Sequence, residues 1–247
     1  MKKGVSMKNK KIKKIISLMG ICLGIGIIAV CLFLLNKKPE VVYQEKVVYK
    51  KEKTKTLSDI KKNENIVFLG DSITDFYPID SIYLDLPIIK SGISGYTTND
   101  ILDRMDTMVY QYNPTSVFLL IGTNDIMHDP ESNKGITVEN IEKIVENIKK
   151  NRKKAKIYLE SIYPVNKMVN PRMVYNRENS VIQEMNAKLK DYCDSNENVI
   201  YIDMNKELQD ENGNFDAKYT NDGLHPNDLG YAKISQVRLT YILDIDK

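Results

Sequence analysis

The sequence predicts an α/β protein: a doubly wound, five-stranded parallel sheet with helices on both faces. Two observations carry that expectation. Short apolar runs alternate with longer segments whose apolar residues fall three or four apart, the alternation of a parallel sheet covered on both faces. The pattern runs through 64–247, a length sufficient to bury a single core.

The elements follow in order. Residues 66–69 (Ile-Val-Phe-Leu) form the first strand, stopped by Gly70-Asp71-Ser72. The short run 87–89 gives the second strand, and a helix is predicted over 98–112. Residues 116–121 form the third strand, an uninterrupted apolar run after Ser116. The helix over 137–154 carries an amphipathic stripe of Ile141, Ile144, Val145 and Ile148. Strand 156–161, a helix over 174–194 and strand 199–202 complete the sheet. A last helix is expected from Pro226, a residue suited to the first helical position, to about Leu243. In this architecture ligands bind at the carboxyl edge of the sheet.

Three segments precede the domain. Residues 1–14 form a basic tail with seven lysines. Residues 15–35 carry no charge and would span roughly 30 Å as a helix, the thickness of a bilayer core. By the positive-inside rule the tail stays cytoplasmic and the rest lies outside the cell membrane. The run is too long for the apolar core of a secretory signal, and Asn36-Lys37-Lys38-Pro39 offers no small-residue cleavage site. An uncleaved single-pass anchor is therefore expected, with secretion after cleavage as the alternative. Residues 36–63, with nine lysines and four acids, read as a solvated stalk.

The chain's net charge of +3 hides an acidic domain. From Glu64 onward 20 Lys and Arg face 29 Asp and Glu, a net of −9, and no basic aromatic stripe is present, which argues against a nucleic-acid partner. Of three cysteines, Cys22 and Cys31 lie in the apolar run, leaving Cys193 without a partner for a disulfide in the domain. With two histidines in all, no His/Cys cluster has metal-ligand spacing, and no metal is expected. No obligate protein partner is evident.

Four segments could carry chemistry. Ser72 stands on the turn after the first strand, where a nucleophile would be held rigidly, though Gly-Asp-Ser is also an ordinary turn and helix cap. Gly95, in Gly92-Ile93-Ser94-Gly95-Tyr96-Thr97-Thr98, could bring a backbone N–H close to a substrate oxygen, or simply belong to a loop leading to a Thr cap. Asn124, in Gly122-Thr123-Asn124-Asp125, could donate to an oxyanion, or mark an Asn/Asp turn. Asp222-Gly223-Leu224-His225-Pro226 is the strongest signal, because a histidine base needs a carboxylate to fix its tautomer. The same Asp-x-x-His spacing recurs at Asp125 and His128, so spacing does not choose between the histidines. His128 fits a base, a substrate contact or an exposed polar residue, and the last two are favoured. Asp71 and Tyr96 are further candidates for substrate contact.

Taken together, in this order along roughly residues 64 to 243, the four segments resemble the SGNH (GDSL-like) hydrolases. The resemblance implies a flavodoxin-like sheet, Ser72 as nucleophile, and Asp222 and His225 as acid and base. It also implies an oxyanion hole of the Ser72 and Gly95 N–H groups and the Asn124 amide. Lys90 stands where many relatives have asparagine, and Tyr96 where many have Asp; both touch loop packing or the pocket rim. The implied activity is ester hydrolysis through an acyl-enzyme, with no cofactor. Short-chain O-acyl esters, chiefly O-acetyl groups on envelope carbohydrate, are the expected substrate. A lysophospholipase or an O-acyltransferase would use the same site. A non-catalytic cell-surface binding module is the reading from another class.

Overall fold

The computed structural model describes residues 64–83 and 86–243. The predicted tail 1–14, membrane span 15–35 and stalk 36–63 lie outside the described residues. Among the described residues no helix is long and apolar enough to cross a membrane.

Five parallel strands form one sheet: β1 (Ile66–Gly70), β2 (Ile88–Gly92), β3 (Ser116–Leu120), β4 (Lys156–Glu160) and β5 (Val199–Ile202), in the order β2-β1-β3-β4-β5. The strand order reverses between β1 and its two neighbours, the switch point where such sheets open a crevice at their carboxyl ends. Every residue of β1 and β3 is buried, as expected of central strands covered on both faces.

The helices are α1 (Ser72–Asp75), α2 (Ile79–Ile82), α3 (Thr98–Leu102), α4 (Met105–Met108), α5 (Pro130–Asn151), α6 (Pro171–Val174), α7 (Asn179–Asp194), α8 (Met204–Leu208) and α9 (Asp228–Ile242). Their bounds correct the sequence reading in four places. The expected helix over 98–112 is broken into α3, α4 and a 3-10 turn at Tyr110–Tyr112. Its apolar spacing is helical, but Thr98, Asn99, Asp100, Asp103, Asp106 and Thr107 all favour caps and turns over helix interiors. The helix expected over 137–154 begins earlier, at Pro130, where the Asp129 carboxylate accepts the Ser132 N–H and the proline takes the first turn. The helix expected over 174–194 is interrupted at Tyr175, whose positive φ no right-handed helix admits. The last helix starts after Pro226, at Asp228, because Asn227 caps it by accepting the Gly230 N–H.

Successive strand residues point to opposite faces. Val67, Leu69, Val117, Leu119, Ile157 and Leu159 pack with Ile141, Ile144, Val145 and Ile148 of α5 and with Ile182, Met185 and Leu189 of α7. Each such side chain contributes about 1.5–3 kcal/mol on burial. The alternate residues build an aromatic layer: Phe68 lies edge-on to Phe118 at 5.3 Å, and Phe118 stacks on Tyr158 at 4.3 Å. Within that layer Arg238 of α9 is buried against Glu160 at the end of β4, Nε to Oε1 at 2.6 Å.

Candidate active site

Ser72 opens α1 at the carboxyl end of β1. Asp71 caps this turn, its Oδ1 accepting the Ile73 N–H at 3.0 Å. Asp71, a candidate for substrate contact, is 1% exposed; its side chain faces inward and braces the Ser72 turn. Burial pushes its pKa up to about 7, against the opposing pull of the Ile73 N–H and the Arg177 charge.

A loop far along the chain, just before α9, meets Ser72. Ser72 Oγ lies 3.0 Å from His225 Nε2, and His225 Nδ1 lies 2.7 Å from Asp222 Oδ2. An ionised carboxylate only accepts, so Nδ1 carries the proton and Nε2 is left to accept from the serine hydroxyl. Burial alone would raise the Asp222 pKa, but the hydrogen bonds from the His225 ring and from the His225 and Leu224 N–H groups outweigh it and hold it below the usual carboxylate range.

The loop is built to aim these groups. Asp222 Oδ1 accepts the N–H of Leu224 at 2.9 Å and of His225 at 2.7 Å, while Thr220 Oγ1 donates to the His225 carbonyl at 2.7 Å. Gly223 has φ +77°, and a Cβ there would sit 2.2 Å from the Asn166 carbonyl oxygen. Only glycine fits, and the Asn166 N–H binds the Gly223 carbonyl at 2.8 Å, docking the loop on the segment after β4. The Phe76 ring leans on His225, centroids 5.3 Å apart, and is half exposed.

Gly95 also has positive φ, +82°, and open space where a Cβ would stand. Asn124 follows β3. Its Nδ2 donates to the Tyr96 carbonyl at 3.0 Å, tying the Gly95 loop to the Asn124 loop. The amide's second N–H remains to serve a ligand. Tyr96 itself is half-buried, with the Arg104 guanidinium 5.2 Å from its ring centre.

The two Asp-x-x-His pairs differ in what they do. The Asp125 carboxylate accepts from the Thr98 N–H at 3.1 Å and the Thr98 hydroxyl at 2.5 Å, and burial raises its pKa. His128 is exposed, edge-on to Tyr175 at 5.2 Å. Ser72, Asp222 and His225 are thus brought together, the Gly95 and Asn124 loops are linked through the Tyr96 carbonyl, and His128 meets Tyr175.

Arg177 is a part of this site that sequence reasoning did not find. It is 2% exposed; its Nε donates to the Thr123 carbonyl at 2.7 Å and one Nη to Asn124 Oδ1 at 2.9 Å. The other Nη donates to the Val174 carbonyl at 3.1 Å. The guanidinium therefore fixes which way the Asn124 amide faces. No local pattern announces this, since 53 residues separate the partners. Among the described residues, no group of three or more His, Cys, Asp or Glu side chains is gathered to hold a metal.

The fold agrees with the comparisons. A model of the GDSL-like Lipase/Acylhydrolase family matches residues 68–233, more than half of the chain. A curated relative, N-acylneuraminate cytidylyltransferase of Escherichia coli O18:K1:H7 (strain RS218 / NMEC), is 29% identical over 179 residues, covering 70% of this chain and 40% of the relative. The chain therefore spans 40% of the length of the curated relative it matches. A structure from Streptococcus pneumonia, provisionally named for platelet activating factor, is 29% identical with a TM-score of 0.68, covering 89% of this chain and 99% of that one. A GDSL-like lipase from Bacteroides thetaiotaomicron is 25% identical with a TM-score of 0.63, covering 81% of this chain and 96% of that one. The chain belongs to the GDSL-like lipase/acylhydrolase family and is an ester-hydrolysing enzyme.

Proposed function

We propose that this enzyme is a serine esterase that removes short acyl groups, chiefly O-acetyl, from carbohydrate in two acyl-transfer steps. The observation supporting it is the hydrogen-bonded line from Asp222 through His225 to Ser72. In the first step His225 Nε2 takes the Ser72 proton as Oγ attacks the ester carbonyl. Asp222, kept ionised, stabilises the imidazolium. The carbonyl oxygen becomes an oxyanion facing the Ser72 and Gly95 N–H groups and the second Asn124 amide N–H. Collapse expels the sugar alkoxide, which takes the proton from His225, and leaves an acyl ester on Ser72. In the second step His225 deprotonates a water that attacks this ester, and collapse releases the carboxylic acid and restores the serine.

The carbohydrate half of the reading draws on the name of the Escherichia coli relative, since N-acylneuraminate is an acylated sugar acid. Steady-state hydrolysis of p-nitrophenyl acetate tests the esterase half. A well-folded wild type that releases no p-nitrophenol would overturn it.

The oxyanion assignment carries its own expectation. Asn124→Ala should lower kcat by about 10²–10³, with KM little changed. Arg177→Met leaves the amide in place but frees its orientation, so kcat should fall less, by about tenfold. Both are read in steady-state assays, and an unchanged kcat in Asn124→Ala removes that side chain from the oxyanion hole.

We also propose that residues 15–35 anchor the enzyme in the cell membrane with the domain outside. The support is an uncharged run after seven lysines. Alkaline carbonate extraction should leave the protein in the membrane pellet; its full release would sink the anchor.

A further inference from the structure

Among the described residues, two other than glycine have positive φ: Asn113 and Tyr175. Asparagine enters that region readily, but for a bulky aromatic it is a strained conformation. Tyr175 follows α6 with φ 59° and ψ −133°, outside the left-handed helical region and close to the first central position of a II′ turn, which glycine ordinarily fills. The surroundings hold it there. Its N–H binds the Pro171 carbonyl at 2.9 Å, and the carbonyl before it accepts from Arg177 at 3.1 Å. Asn176 beside it is bonded twice to the Asn124 loop, from its N–H to the Met127 carbonyl at 3.3 Å and from Nδ2 to the His128 carbonyl at 2.9 Å. Yet the Tyr175 ring buries no core. It is 49% exposed, standing edge to face with His128. A side chain kept in a strained slot without a packing return points to a ligand.

We infer that Tyr175 and His128 form an aromatic subsite that receives the sugar ring of the acylated carbohydrate beside Asn124. This rests on the esterase reading above and adds where the leaving group binds. Arg177 bridges the two loops, donating to Val174 just before Tyr175 and to Asn124 Oδ1, so the subsite is tied to the oxyanion side of the site. An exposed ring offers an apolar face for the C–H face of a pyranose. The Tyr175 hydroxyl and the His128 ring nitrogens can meet the sugar's hydroxyl edge. A fatty chain is the competing occupant, because Met168 and Met173 are exposed on the same segment.

The test compares Tyr175→Ala, Tyr175→Phe and Tyr175→Gly on three substrates: p-nitrophenyl acetate, an O-acetylated xylo-oligosaccharide and p-nitrophenyl laurate. Tyr175→Ala should raise KM for the oligosaccharide by about five- to tenfold, the size of one aromatic contact. Tyr175→Phe should keep the oligosaccharide KM within about twofold. Tyr175→Gly should lose the oligosaccharide as Ala does, while its Tm rises by about 2–4 °C as the strain is relieved. An unchanged oligosaccharide KM in Tyr175→Ala overturns the subsite, and a loss confined to the laurate ester assigns it to an acyl chain instead. Binding of the oligosaccharide to Ser72→Ala, with and without Tyr175→Ala, separates the two readings. If the wild type hydrolyses no ester, the esterase reading falls, and this binding comparison still decides the subsite.

Discussion

Ser72→Ala is expected to lower kcat for p-nitrophenyl acetate by about 10⁶-fold, the scale on which a serine hydrolase loses its nucleophile. The fold should survive, because the deletion removes one oxygen whose only side-chain partner among the described residues is His225 Nε2. His225→Ala should cost as much, and the double variant no more than either, since nucleophile and base act as a unit. Asp222→Asn separates geometry from tautomer. Its Oδ1 can still accept the Leu224 and His225 N–H groups and keep the loop closed. Its amide would then face His225 Nδ1 with a donor, driving the ring proton to Nε2, where it cannot take the serine proton. The expected loss is about 10⁴ in kcat. These are read as p-nitrophenol release beside circular dichroism of each variant. A folded Ser72→Ala enzyme that keeps more than a trace of wild-type turnover would remove Ser72 as nucleophile.

Much of this site was legible because parallel sheets put their chemistry at strand ends. Val67, Phe68 and Leu69, or Val117 through Ile121, have no polar alternation, so they read as buried strands, and the residues after them read as edge loops. Gly95 and Asn124 were found in such edge loops, but a role for them came only from the family resemblance. What stayed hidden depends on contacts between distant loops. Asp125 and His128 have the same spacing as Asp222 and His225. In the structure the Asp125 carboxylate is taken by Thr98, a partner on another crossover, and His128 meets Tyr175 instead of a serine. Asp71 read as a candidate substrate contact because its burial depends on the turn it caps. Arg177 was invisible for the reason that makes it useful: a buried guanidinium joins segments that nothing in the sequence places side by side. The break at Tyr175 was equally hidden, since Val174 continues an apolar helical spacing and only the backbone records the interruption.

The largest loss of stability is expected at Arg238, remote from the chemistry. Its guanidinium is 1% exposed and meets Glu160 with two bonds, at 2.6 and 3.0 Å, while Tyr163 donates to the same carboxylate at 2.7 Å. The Phe68 and Tyr77 rings flank it, with centres 4.4 and 4.8 Å away. Arg238→Ala would strip a fully buried carboxylate of its counter-charge and open a void among those rings. Breaking one side of such a pair costs about 3–5 kcal/mol. For a domain of this size that corresponds to a fall in Tm of roughly 6–20 °C. The pair itself need not be stabilising, because taking both charges out of water offsets their attraction. Glu160→Met combined with Arg238→Met should therefore restore most of the loss, to within about 1–2 kcal/mol of wild type. Calorimetry of Arg238→Ala and the double variant distinguishes the cases. Recovery in the double variant means an uncompensated charge is what unfolds the protein. A double variant as unstable as Arg238→Ala means instead that the bidentate geometry is required. In that case the pair specifies how α9 docks on β4, and with it the position of the His225 loop, which runs into α9 through Pro226 and Asn227.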